Sequence, residues 1–192
     1  MASPRFMIFV DGENLTIRVQ EWAASLGLEL EDGPLYKRDT FVWIPPHLGQ
    51  SSRPDLALWH DEWVGGSPVR SFYYTSVFGS HDLVEGVKAA LWLIGFQPEV
   101  FKKIRRESKA KGVDIALTKD MLSHAFLGNY EVAILVAGDG DYIALVEEVK
   151  RRGKRVHVAF IDASMSPNLK LASDRFFDLS GVFRSWLQPS TP

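Results

Sequence analysis

The protein has 192 residues, of which 46% are hydrophobic and 24% charged, and its formal net charge is −2. This length and apolar content predict one folded domain with an ordinary core and exclude an intrinsically disordered chain. Because the sequence contains no cysteine, disulfides, zinc–thiolate sites, iron–sulfur clusters and cysteine nucleophiles are excluded. The sequence shows no membrane-spanning run and no signal-peptide pattern, so we expect a soluble, cytoplasmic protein without a membrane partner.

The first elements along the chain are a strand and a helix. Residues Phe6 to Val10 form an unbroken apolar run, which predicts a strand buried on both faces. Apolar residues then recur at helical spacing from Asn14 to Leu26, and Gly27 is well placed to end that helix. A strand followed by a helix is the first half of a βαβ unit.

The periodic pattern is lost from about residue 28 to 68. The stretch 28–70 holds five of the ten prolines and three of the six tryptophans, Trp43, Trp59 and Trp63. We interpret residues 28–68 as an ordered insertion, with a short strand at 41–44, because three tryptophans are atypical of a loose linker. These tryptophans are predicted to form a small core under the long loop, and stacking on unpaired bases is the alternative.

Strands and helices then alternate along the rest of the chain. Strands are predicted at 69–75, 96–104, 132–137, 155–161 and 176–179, and helices at 82–94, 113–127 and 141–152. This alternation predicts an α/β fold with a mostly parallel sheet of five or six strands and helices on both faces. Residues 189–192 are expected to be a frayed tail, which makes residues 1–188 a single domain.

Acidic residues stand next to two of the predicted strands. Asp11 follows the first strand directly, and Asp139 and Asp141 follow the fourth, while Asp114 opens the helix before the fourth strand. If the strand order is 3-2-1-4-5, strands one and four are neighbours at the point where ligands bind in such sheets. Carboxylates that face one crevice repel each other unless protons or a cation neutralise them, and their oxygens suit Mg²⁺ or Mn²⁺.

Each of these features taken alone has a simpler explanation. Asp141 and Asp114 can cap the helices that they open, which is the better explanation for either residue by itself. The adjacent glycines, Gly12, Gly138 and Gly140, are predicted to let the backbone approach a ligand closely.

Three blocks of sequence follow one another in a distinctive order. They are Phe9-Val-Asp-Gly-Glu-Asn-Leu15, Lys111-Gly-Val-Asp-Ile-Ala-Leu117, and Ala137-Gly-Asp-Gly-Asp-Tyr142 with Arg152-Gly-Lys-Arg-Val156. Together with residues 172–179 they resemble the NYN domain of the PIN-like nuclease superfamily, and within it the LabA-like branch. The resemblance extends over most of residues 5–180. The stretch 28–68 is longer and richer in tryptophan than the family core.

The resemblance implies a Rossmann-like PIN fold and a divalent-metal-dependent ribonuclease. Matched by position, the catalytic and metal-binding residues are Asp11, Asp114, Asp139 and Asp141, and the metal is Mg²⁺ or Mn²⁺. Asn14 matches a residue that would orient Asp11 or contact a phosphate. The implied substrate is RNA, with single-stranded DNA left open, and the implied products carry a 5′-phosphate and a 3′-hydroxyl.

A basic segment follows the third strand, immediately before Asp114. Its cations include Lys102, Lys103, Arg105, Arg106 and Lys111. We predict that they bind nucleic-acid phosphates beside the acidic crevice, since an acidic site needs nearby cations to attract a polyanion. The alternative is a solvated loop without such a role.

Other functions remain as alternatives. The main one is an NYN protein that binds nucleic acid or regulates with little or no turnover, although a binding module has little reason to keep repelling carboxylates together. A nucleotide-binding protein lacks its phosphate cradle, because residues 138–141 match neither GxGxxG nor GxxxxGK[ST]. Metal-dependent phosphomonoesterase chemistry stays open. A homodimer also stays open, since no heptad or exposed apolar stripe indicates one.

Overall fold

The computed structural model describes residues 4–33, 36–42, 67–105 and 112–187. Its strands and helices, in chain order, are β1 (Phe6–Asp11), α1 (Gly12–Ser25), β2 (Tyr36–Lys37), β3 (Phe41–Val42), β4 (Arg70–Phe78), α2 (His81–Leu93), β5 (Gln97–Lys103), α3 (Gly112–Phe126), β6 (Val132–Val136), α4 (Ile143–Arg151), β7 (Arg155–Phe160), α5 (Pro167–Ala172), β8 (Arg175–Asp178) and α6 (Ser180–Leu187), with 3₁₀ turns at Gly140–Tyr142 and Asp162–Ser164. No helix in these ranges is long and apolar enough to cross a membrane.

Six strands form one parallel sheet in the order β5-β4-β1-β6-β7-β8. Counted along the chain, the strands of this sheet stand in the order 3-2-1-4-5-6, which confirms the predicted order and adds the short sixth strand at the edge. The order reverses at β1, between β4 on one side and β6 on the other. The carboxyl ends of β1 and β6 therefore lie side by side at the point where ligands bind in sheets of this type.

The core lies on both faces of the central strands. Every residue of β1 and β6 is buried, as their unbroken apolar sequences predict. Helix α1 buries an apolar stripe that includes Leu15, Val19 and Trp22 against the sheet. On the opposite face, the rings of Phe9 and Phe72 stack with their centroids 5.4 Å apart.

A two-stranded antiparallel hairpin, β2–β3, packs beside α1 and β4. Phe41 and Val42 are buried, and the β3 strand confirms the first half of the strand predicted at 41–44. The hairpin is tied to the main sheet because the Tyr73 hydroxyl donates to the Val42 carbonyl at 3.1 Å. Trp43, Trp59 and Trp63 lie outside the described residues.

The cap predicted at Asp141 is wrong. Helix α2 is capped by Ser80, whose hydroxyl accepts a hydrogen bond from the Leu83 N–H. After β6, the carboxylate of Asp139 accepts from the Asp141 N–H, so Asp141 is not the cap. Asp139 stands two residues before Asp141, and both Ser80 and Asp139 have the extended backbone that a cap requires.

Candidate active site

Asp11 ends β1 and lies at the centre of the candidate site. It is only 4% exposed, because β4 and β6 flank its strand and α1 starts at the next residue. Its Oδ1 accepts the Asn14 N–H at 3.0 Å and so caps α1. Its Oδ2 accepts the Tyr142 hydroxyl at 2.8 Å. Both oxygens of this buried carboxylate are therefore held in place by neighbouring groups.

Tyr142 brings a second carboxylate to the same point. Its hydroxyl oxygen lies 3.1 Å from Oδ1 of Asp114, in the first turn of α3, and 2.8 Å from Oδ2 of Asp11. The distance between Oδ2 of Asp11 and Oδ1 of Asp114 therefore cannot exceed the sum of these two distances. A phenol has one proton to donate, so it satisfies one of the two carboxylates at a time and the other retains an unused lone pair.

The electrostatics of this group reflect its burial. Burial raises the pKa of Asp11 to about 7, against the hydrogen bonds from Asn14 and Tyr142, which lower it. The charges of Asp114 and Glu13 raise the pKa of Asp11 further. Burial also raises the pKa of Tyr142, as do the two carboxylates beside it, so its hydroxyl keeps its proton. Among the described groups that shift these two pKa values, none is a cation.

Asn14 links α1 to the end of β6. Its Oδ1 accepts the Gly138 N–H at 2.9 Å, across 124 residues of chain. Two of the neighbouring glycines are required by the packing. A Cβ at Gly12 would lie 1.9 Å from the Tyr73 ring, and a Cβ at Gly138 would lie 2.3 Å from the Phe160 ring. These glycines make room for the protein's own aromatic side chains, and their close approach to a ligand stays a prediction.

Asp139 and Asp141 occupy the 3₁₀ turn that also carries Tyr142. Asp139 is half-buried and caps the turn, whereas Asp141 is exposed. Within the described ranges, no three His, Asp or Glu side chains come close enough together to form a metal-binding group. The structure thus brings Asp11 and Asp114 together, while the four-carboxylate cluster stays a prediction.

The donor chemistry of the Asp11–Asp114 pair fits a divalent cation. Mg²⁺ is usually bound by one or two carboxylates and keeps several waters, so a protein cage of three or more acids is not required. Both carboxylates reach the same hydroxyl from different elements, and only oxygens are offered. Hard oxygen donors of this kind suit Mg²⁺ or Mn²⁺.

Glu13 and Lys103 form an ion pair on the other side of β1. The carboxylate of Glu13 also accepts the Ser76 hydroxyl at 2.8 Å, and both charged side chains are largely covered, at 15% and 12% exposure. The ammonium of Lys103, predicted to bind phosphate, is thus engaged by an acid in the free protein. Lys102 and Arg105 are exposed, while Arg106 and Lys111 lie outside the described residues.

Sequence reasoning missed Tyr142 and Glu13 as members of the site. Both stand inside the blocks that carry the family resemblance, which was the available signal. An aromatic residue that follows an acid is usually assigned to the core, and Tyr142 is indeed buried, with its hydroxyl directed at the two carboxylates. The pairing of Glu13 with Lys103 joins residues ninety positions apart, which no local pattern indicates.

Comparison with known proteins assigns the family. A family model for the NYN domain matches residues 5–180. The chain belongs to the NYN domain family. This places it in a nuclease-like superfamily, in agreement with the resemblance of its three motif blocks. The low amplitude and bright protein LabA of Synechococcus elongatus is 25% identical over 146 residues, covering 72% of this chain and 71% of the relative.

A solved structure supports the fold. The crystal structure of a Vibrio parahaemolyticus protein of unknown function aligns with a TM-score of 0.61 and 22% identity. The alignment covers 94% of this NYN chain and 95% of the other. The α/β architecture is therefore shared along nearly the whole length of both chains.

Proposed function

We propose that this NYN protein hydrolyses RNA phosphodiester bonds with Mg²⁺ or Mn²⁺. The observation that carries the proposal is the Asp11–Tyr142–Asp114 bridge at the carboxyl ends of β1 and β6. Two carboxylates from separate elements converge on one buried hydroxyl, at the edge where α/β sheets bind ligands. Asp11 and Asp114 hold the cation in this proposal, and Asp139 and Asp141 complete its surroundings from the adjacent turn.

The cation would activate an attacking water and neutralise charge on the leaving oxygen. The chain's own residues set the geometry. The Asn14 N–H holds one oxygen of Asp11, and the single proton of the Tyr142 hydroxyl is donated either to the other oxygen of Asp11 or to Asp114. The Asn14 side chain accepts from Gly138 through its carbonyl oxygen, so the amide nitrogen at its other end can donate to a phosphate oxygen.

The cations at the end of β5 provide affinity for a polyanion. Lys102 and Arg105 are exposed next to the ion-paired Lys103, and Arg106 and Lys111 follow in the sequence. Contacts from such side chains to phosphates position a strand without reading its sequence. We assign these five residues to the RNA backbone, with the reacting phosphate directed toward Asp11.

Binding without turnover is the second candidate function. It is favoured by the finding that, across the described ranges, three acids do not gather into one metal-binding group. In that case the carboxylates would contribute to the fold, and the basic residues alone would bind RNA. The two functions differ in one observable, which is metal-dependent strand cleavage.

The test is cleavage of a labelled single-stranded RNA in Mg²⁺, in Mn²⁺ and in EDTA, with single-stranded DNA of the same sequence alongside. We expect cleavage that requires metal and yields 5′-phosphate products. Asp139→Asn should lower the rate at least about 100-fold, since metal catalysis contributes several kcal/mol, while the exposed Glu147→Gln control cleaves like the parent. Undiminished cleavage by an Asp139→Asn protein that melts like the parent would remove Asp139 from the site. A folded, metal-supplied parent that cleaves neither strand would favour the binding function.

A further inference from the structure

A pocket of about 390 Å³ opens beside the candidate site, on the β4–β5 side of β1. Side chains from α1, the β2–β3 hairpin, the end of β4, the start of α2 and the end of β5 line it. Its volume lies in the range of pockets that bind small organic groups. Five elements that are distant in sequence thus form one concavity at the carboxyl edge of the sheet.

One wall of this pocket is apolar and open to solvent. It consists of Ile17, Phe78 and Leu83, which are 44%, 53% and 45% exposed. The packing of Leu83 against the turn after β4 depends on Gly79, because a Cβ there would come within 2.6 Å of the Leu83 side chain. Exposed apolar side chains that converge in a concave surface indicate a binding site more often than scattered ones do.

Two cations, Arg38 and Lys103, line the same pocket together with the acids Glu13 and Asp39. Phe78 and Lys103 are register partners on neighbouring strands, so their side chains leave the sheet from adjacent backbone positions. Arg38 adds a second cation from the hairpin. An open aromatic face combined with adjacent cations is the arrangement by which proteins bind single-stranded nucleic acid, the ring stacking on a base and the cations contacting the backbone.

The pocket lies close to Asp11, although the carboxylates of the candidate site are not among its lining residues. Glu13 lines it and follows Asp11 by two residues, close enough for its charge to act on Asp11. In the β1–β4 register Asp11 stands level with Tyr74. Phe78 lies four residues farther along β4, about 13 Å beyond that level at 3.3 Å per residue. A strand whose phosphate lies at Asp11 can therefore place a neighbouring base in the pocket.

From this juxtaposition we infer that the pocket binds one unpaired base of a single-stranded RNA, next to the phosphate held at the carboxylates. Phe78 is the stacking surface, and Arg38 and Lys103 contact the flanking backbone. The inference rests on the proposed function and adds a substrate class to it. A base that is paired in a duplex cannot enter such a pocket, so the protein selects unpaired RNA.

The test measures binding of a short labelled single-stranded RNA in which each base in turn is replaced by an abasic position. EDTA keeps the strand intact. In the parent protein we expect one position at which base removal weakens binding about 5- to 150-fold, since a stacked base contributes about 1–3 kcal/mol. Phe78→Ala should weaken binding of the intact RNA by a similar factor and abolish the effect of that position. Phe78→Tyr keeps a ring and should restore both.

Phe126→Ala is the matched control, because Phe126 is 63% exposed on α3 and does not line the pocket. It should bind like the parent. A parent whose affinity is equal at every abasic position would overturn the pocket inference and leave the cleavage proposal intact. A parent that neither binds nor cleaves RNA would overturn both. If Phe78→Ala does not fold by its melting curve, the abasic series on the parent decides alone.

Discussion

The two sides of β1 differ at the carboxyl edge of the sheet. On the β6 side, Asp11, Asn14 and Tyr142 are joined by hydrogen bonds that connect α1, β6 and α3. On the β4–β5 side, the Glu13–Lys103 ion pair borders an open pocket with exposed apolar side chains. The first side is cross-linked around the buried Asp11, whereas the second offers accessible apolar side chains beside a largely covered ion pair.

In the proposed function, the two regions have different roles. Reacting groups must be held in a fixed geometry before the substrate arrives, which the buried Asp11 provides through its two hydrogen bonds and through the hydroxyl that also contacts the exposed Asp114. A substrate must enter and leave, which requires accessible surface. If this division is right, substitutions on the β6 side should impair the fold and the reaction step, and those on the β4–β5 side should change affinity.

The largest effect on stability is expected for Gly12→Ala. The added Cβ would lie 1.9 Å from the buried Tyr73 ring, and we expect the free energy of unfolding to fall by about 3 kcal/mol because the ring has nowhere to move. Denaturant unfolding measures this change. Gly86→Ala is the control, because Gly86 lies within α2 with nothing close to its missing Cβ, and alanine there should raise stability by up to about 1 kcal/mol. Equal stability of Gly12→Ala and the parent would contradict the rigid packing claimed for this side.

A smaller loss is expected for Asn14→Ala. The variant leaves the buried Gly138 N–H without its acceptor, so we expect a loss of about 1–3 kcal/mol in the free energy of unfolding. The cleavage rate at saturating RNA should fall by a larger factor than the affinity for RNA, because the carboxyl end of β6 is no longer hydrogen-bonded to α1. Asn168→Ala, on an exposed position of α5, is the control. If the variant instead has a reduced affinity for RNA and an unchanged cleavage rate, Asn14 acts in substrate binding, like the residues on the β4–β5 side.

The smallest effect is expected for Glu13→Gln, which releases Lys103 from its ion pair. The ammonium can then contact a phosphate, so RNA should bind a few-fold more tightly. The dependence of log affinity on log salt should steepen by about 0.7, the value for one more neutralised phosphate on a single strand. Binding titrations at several salt concentrations in EDTA measure this, with Glu147→Gln as the control. An unchanged slope together with an unchanged affinity would show that Glu13 does not hold Lys103 away from the RNA backbone.

The sheet could be predicted from sequence because its signals are local. The runs at Phe6–Val10 and 132–137 contain only apolar residues and coincide with the two central strands. Helices α5 and α6 were missed, since segments of six and eight residues are too short to show a helical period. The strand order was predicted with the help of the family resemblance, because local sequence contains little information about which strands become neighbours.

The site was predictable in its residue types and less so in its contacts. Asp11 and Asp114 were selected by their motifs, and the structure joins them through a hydroxyl that the sequence did not single out. The tyrosine ring belongs to the core and only its oxygen belongs to the site, a distinction that depends on side-chain direction and not on residue type. The pocket was not predictable either, because its lining comes from five separate elements.

The central claim is that Asp11 and Asp114 act together on the substrate. The most direct test compares two aspartates on the same helix, because Asp114 and Asp120 each contact a tyrosine hydroxyl, that of Tyr142 and that of Tyr74. Single-turnover cleavage of single-stranded RNA in Mg²⁺ is measured for Asp114→Asn and Asp120→Asn. We predict that Asp114→Asn cleaves at least about 100-fold more slowly than the parent, whereas Asp120→Asn cleaves at the parent's rate. Equal rates for the two variants, with both proteins folded, would contradict the account.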